Sequence, residues 1–119
     1  ACLLRRGTLM TNPFEEMKLV LAKPENWTRG FFARSSPSLL TNHNMCSAVS
    51  EKAVCWCLSG AHFRVKRTTT ATSGWYFMDE RTPKPFRHVA EFNDDPSTTF
   101  EGIHAFLDEC SSDWEASNG

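Results

Sequence analysis

Apolar positions recur at helical spacing most clearly near the C-terminus. Phe100, Ile103, Phe106, Leu107, Cys110 and Trp114 follow one another at three- and four-residue intervals, with Glu101, Asp108, Glu109 and Asp113 as the acidic residues of the same stretch. Thr98 and Glu101 have the spacing of a capping box that opens this helix. A second helix starts at Asn12-Pro13-Phe14-Glu15-Glu16: Asn suits the N-cap, Pro the first turn, and two acids the positive end of the dipole. Phe14, Met17 and Leu21 share its inner face, and Lys23-Pro24 ends it. A third pattern, Ala53, Val54, Cys57, Leu58 and Ala61, predicts a buried helical face opened by Ser47 or Ser50. Thr82-Pro83 opens a further helix with Phe86, Val89 and Ala90 inward, and Asn93-Asp94-Asp95-Pro96 breaks it. Trp27 to Ala33 reads as a short extended segment.

The pattern is weakest over residues 64–81. Arg64 to Thr72 is basic and rich in β-branched residues, and Gly74-Trp75-Tyr76-Phe77-Met78 is strongly apolar. A short β-hairpin over residues 64–78, turning near Ser73-Gly74, competes here with a surface loop. The fold class expected is therefore mainly α, a compact small helical domain over residues 10–116, with that hairpin as the one interruption. Residues 1–9 precede Met10 and are read as an upstream segment outside the fold.

Three segments also carry a resemblance. They are Trp27-Thr28-Arg29-Gly30 with Ala33-Arg34, then Trp56-Cys57-Leu58-Ser59-Gly60-Ala61, then Phe92-Asn93-Asp94 followed by Thr98-Thr99 and Glu101. In this order and spacing the chain resembles a family of small uncharacterised proteins, a domain of unknown function found in bacteria and their phages. The resemblance implies a compact helical fold and a microbial or phage origin, and it implies no activity. The Thr-rich basic stretch at 64–81 departs from the pattern. The motifs have a physical reading too: Cys57 and Leu58 inward, Gly60-Ala61 allowing a close crossing, Asn93-Asp94 ending one helix and positioning the next.

Composition narrows the class. With 119 residues, nine Phe and four Trp, the chain can bury one core. No apolar run is long enough to span a bilayer. Five cysteines, two of them one residue apart, suggest reduced thiols in a cytoplasmic protein rather than a disulfide framework. Charge is uneven. Residues 1–88 hold all 13 Lys and Arg against six acids, while residues 89–119 hold eight acids and no Lys or Arg. An acidic helix face that is solvated or lies against the basic remainder explains this; pairing with a partner or a second copy is the alternative.

Three sets of residues have the right chemistry for function. His43, Cys46, Cys55 and Cys57, with His62 nearby, have zinc-binding side chains, but a one-residue gap between Cys55 and Cys57 turns a helix by about 200° and splits them between faces. The metal expectation is accordingly none, and no cofactor is expected. Cys57 or Cys55 with His62, His88, His43 or His104 forms the ingredients of a cysteine-dependent enzyme, Asn93 or Asp94 being the orienting group. Arg64, Lys66 and Arg67 beside Trp75 and Tyr76 suit nucleic acid or a protein partner, although the acidic C-terminal stretch and a pI near 6.5 weigh against nucleic acid. Phosphate-cradling glycine loops are absent from the sequence. The leading expectation is a small non-enzymatic binding or interaction module, with Trp75 and Tyr76 as its aromatic anchor.

Overall fold

A computed structural model describes residues 12–36 and 44–118. Helix α1 (Pro13–Val20) begins where the sequence places it: the Asn12 carboxamide oxygen accepts from Phe14 N at 3.0 Å. The same side chain donates to the Ser111 carbonyl and hydroxyl at 3.1 and 3.0 Å, so the cap also ties α1 to α5 (Phe100–Asn118). Phe14, Met17 and Leu21 are fully buried and Leu19 is exposed. A 3-10 turn (Pro24–Asn26) leads to three two-residue strands, β1 (Ala33–Arg34), β2 (Met45–Cys46) and β3 (Cys55–Trp56). They form an antiparallel sheet in the order β2-β1-β3. Helix α2 (Leu58–Lys66), α3 (Ser73–Glu80), α4 (Val89–Asp94) and α5 complete the chain.

The mainly α expectation holds, with a small antiparallel sheet, but several boundaries move. The strands lie at 33–34, 45–46 and 55–56, not at 64–78. Residues 64–78 instead contain the end of α2, a loop and most of α3. Thr72 decides this locally: its hydroxyl accepts from Trp75 N at 3.2 Å and caps α3, where a turn was expected at Ser73-Gly74. Helix α2 starts later than the apolar spacing suggests, because Ala53 and Val54 lie in a loop and Cys55–Trp56 pair with β1. Val54 is exposed rather than inward. The helix expected from Thr82 forms only from Val89; Pro85 lacks an N–H and restricts Lys84, so the chain turns until His88. Phe100 is the first helical residue of α5, and the cap is Thr99, whose hydroxyl accepts from Gly102 N at 2.9 Å, one residue beyond the expected Thr98.

Ile103, Phe106, Leu107 and Cys110 of α5 join Phe14, Met17, Leu58, Ala61, Met78, Val89 and Phe92 in one core. At its α1–α3–α5 corner Phe14, Phe77 and Trp114 stack, with Phe77 and Trp114 edge-on at 5.0 Å between centroids. The charge asymmetry is answered internally. Lys18 reaches Asp108 at 2.6 Å and Arg81 reaches Asp113 at 3.1 Å, so the acidic face of α5 lies partly against basic residues from earlier in the chain. Among the described residues no helix is long and apolar enough to cross a membrane.

Candidate functional site

The three segments singled out in the sequence meet in space. Asn93 of α4, 1 % exposed, is their junction. Its Oδ1 accepts from Trp27 Nε1 at 2.8 Å and from Leu58 N at 3.0 Å. Its Nδ2 donates to the Thr28 carbonyl at 3.1 Å and to Asp94 Oδ1 at 2.8 Å. Both lone pairs and both hydrogens of the carboxamide are used. Gly30 N donates to the same Asp94 oxygen at 2.9 Å. Gly30 has φ +88°, a conformation that a side chain disfavours, and this turns its N–H toward α4. Arg29 stacks on Trp27 at 4.5 Å and donates to the Thr98 carbonyl at 2.6 Å.

Between these segments lies an open cleft of about 260 Å³. Gly30, Phe31 and Phe32 form one wall, Cys57 and Ser59 another, and Ala90, Asn93 and Asp94 the third. Its surface is mostly apolar, and Asp94 is the one charged side chain lining it. Gly60 sets the closeness of the walls: a Cβ there would sit 1.8 Å from the Phe32 carbonyl oxygen. Ser59 is held from behind, its hydroxyl accepting from Trp75 Nε1 at 2.9 Å.

Burial disfavours the thiolate at each of the four described cysteines. Cys57 caps α2, accepting from Gly60 N at 3.3 Å, and is 8 % exposed. Burial pushes its pKa up to about 11, and the nearby Asp94 carboxylate pushes the same way. About one molecule in ten thousand then carries the thiolate at neutral pH. Cys55 is fully buried, and burial raises its pKa too. His62 is fully buried; its Nε2 shares a 2.7 Å hydrogen bond with the Thr72 hydroxyl, while Nδ1 has no partner among the described residues. Burial lowers its pKa to about 4, so the ring is neutral. His88 is exposed and pairs with Asp79 at 3.1 Å. Among the described residues no hydrogen bond joins a histidine to a cysteine, so the Cys–His pairing drawn from the sequence is not assembled.

Two of the described members of the metal set are also kept apart. Cys46 stands opposite Ala33, as does Trp56, while Cys55 stands opposite Arg34. Side chains alternate along a strand, so Cys46 and Cys55 lie on opposite faces of the sheet. His43 lies outside the described residues, within which no group of three or more metal-binding side chains converges. The basic set is partly committed elsewhere: Arg64 donates to the Ser50 carbonyl at 3.0 Å and packs over Trp56, whereas Lys66 and Arg67 are exposed. Trp75 is half-buried, and Tyr76, 57 % exposed, packs edge-on against it.

Sequence reading singled out Gly30, Cys57, Ser59, Asn93 and Asp94 as parts of the fold, and it missed Phe31, Phe32 and Ala90 as walls of a cleft. Nothing in the sequence marks that pairing, because it arises only where the Thr28–Phe32 loop crosses the start of α2. No curated protein and no solved structure matches the chain. A family model matches residues 7–113, and the chain belongs to that family of unknown function, DUF6197.

Proposed function

We propose that this protein is a non-catalytic binding module whose site is the Gly30–Ser59–Asp94 cleft. The observation that carries the reading is convergence: segments 66 residues apart build an open, mostly apolar recess around a fully hydrogen-bonded carboxamide, Trp27 and Asn93 being such a pair. Apolar recesses with few fixed polar groups are the usual form of a binding site. The protonated Cys57 thiol argues against a cysteine-dependent enzyme at the same place. Trp75 takes a supporting role through Ser59, and Tyr76 is the exposed aromatic of the original anchor pair. With this reading go a bacterial or phage origin, a cytoplasmic setting and a single domain over residues 10–116. The motif resemblance motivates the first, and the four free cysteines among the described residues motivate the second.

Titration of ¹⁵N-labelled protein with n-butanol, a small apolar probe, tests the site. Saturable shifts are expected at the Gly30, Phe32 and Ser59 amides and should vanish in Ala90→Trp, which fills the cleft from an exposed helical position. Shifts scattered over the surface, or unchanged by Ala90→Trp in a folded variant, would remove the cleft as the site.

A further inference from the structure

From the geometry of Asp94 we infer that the cleft receives the side chain of a lysine from a partner polypeptide. This rests on the cleft being the binding site. Size is the first argument. At about 260 Å³ the recess falls below the roughly 300–1,000 Å³ of sites that enclose a drug-sized molecule, and it suits one long side chain. Charge is the second. The lining is apolar except for one carboxylate, which complements a guest with an aliphatic stem and a cationic end.

The third argument distinguishes lysine from arginine. Asp94 Oδ1 already accepts from Gly30 N at 2.9 Å and from Asn93 Nδ2 at 2.8 Å. Those two bonds fix the carboxylate in orientation and occupy one of its oxygens. Oδ2 accepts no hydrogen bond from the described residues. A guanidinium binds best as a fork across both oxygens, whereas an ammonium is a point charge satisfied by one. The two arginines flanking the Gly30–Phe32 wall have other partners: Arg29 is held on Trp27 and the Thr98 carbonyl, and Arg34 bonds Thr28, Asn44 and the Arg29 carbonyl. Phe32, 55 % exposed at the rim, offers apolar surface to the residues flanking the lysine.

The test follows the Gly30 amide, which reports directly on Asp94, during titration with the tripeptide acetyl-Ala-Lys-Ala-amide. The norleucine and arginine tripeptides and n-pentylamine serve as comparators. The lysine peptide is expected to bind about fivefold more tightly than the norleucine peptide, the size of one exposed ion pair, and more tightly than the arginine peptide. Asp94→Asn, which keeps an oxygen for Gly30 and Asn93, should bring lysine down to norleucine. Lysine and norleucine peptides binding equally well would overturn the ammonium assignment while leaving the cleft as a site. No binding by any of them, nor by n-butanol, would remove both. Tighter binding of pentylamine than of the lysine peptide would replace the partner polypeptide with a free amine.

Discussion

Asn93→Ala is the sharpest test of how the site is held together. The substitution removes a carboxamide that is 1 % exposed and makes four hydrogen bonds. Three partners belong to other elements: Leu58 N at the start of α2, and the Thr28 carbonyl and Trp27 indole of the preceding loop. Leu58 and Thr28 are buried, so water does not replace the lost partner without structural change. Each buried group left unsatisfied costs about 1–3 kcal/mol, and the half-buried indole lies at the low end. The sum is about 3–7 kcal/mol, a large share of the ~5–15 kcal/mol that holds a typical domain. Urea denaturation followed by tryptophan fluorescence should show the midpoint falling with little change in slope. Asn93→Asp separates the two halves of the carboxamide. It keeps the acceptor for Trp27 and Leu58 but places an oxygen against the Thr28 carbonyl and Asp94. Its carboxyl, desolvated beside another carboxylate, should have a raised folded-state pKa, so the variant loses stability as pH rises above the ordinary carboxyl range. A loss under 1 kcal/mol for Asn93→Ala, with unchanged slope, would refute the junction.

Three further outcomes are expected. Gly60→Ala gains about 1 kcal/mol of helix propensity, but its Cβ meets the Phe32 carbonyl oxygen at 1.8 Å and carbonyl carbon at 2.7 Å, and backbone cannot rotate away. A net loss of about 2 kcal/mol or more by thermal denaturation follows, and a variant as stable as the parent would contradict the close crossing. Burial lowers the His62 pKa from 6.5 to about 4, so the unfolded chain binds the proton first. Stability is complete above pH 6.5 and falls by up to about 3 kcal/mol on acidification toward pH 4, a slope that His62→Gln should reduce. Iodoacetamide at neutral pH should leave Cys55, Cys57 and Cys110 unlabelled in the native state, since burial raises all three thiols, Cys110 to about 12. Peptide mapping that finds Cys57 modified as fast as free cysteine would reopen the enzyme reading.

The elements legible in the sequence are those whose signal is local. Asn12-Pro13 with two acids caps α1 whatever surrounds it, and the apolar stripe of α5 buries one face against any core. Apolar spacing misled at Ala53–Leu58, where β1 claims Cys55 and Trp56 and the helix waits for the Cys57 cap. A two-residue strand has no periodicity to read; it exists because Arg34 and Ala33 stand between two other segments. Residues 64–78 look strand-like by composition, yet Thr72 can cap a helix whose Met78 reaches the core, and burial outweighs β propensity. The charge imbalance was visible, but its resolution in the Lys18–Asp108 and Arg81–Asp113 pairs needed the packing of α5 on the rest.

For the site the division is sharper. The sequence alone determined that the chain carries a mainly helical fold and that its conspicuous motifs are Trp27–Gly30, Trp56–Ala61 and Phe92–Asp94. It read their chemistry as that of the fold rather than of catalysis. Only tertiary structure decided that one carboxamide would join all three motifs, that Gly60 would bring Phe32 against α2, and that Asp94 would line an apolar cleft. Helix caps and apolar stripes act over a few residues and are written in spacing. A hydrogen bond from Trp27 to Asn93 spans 66 residues, and its partners become neighbours only when the core closes.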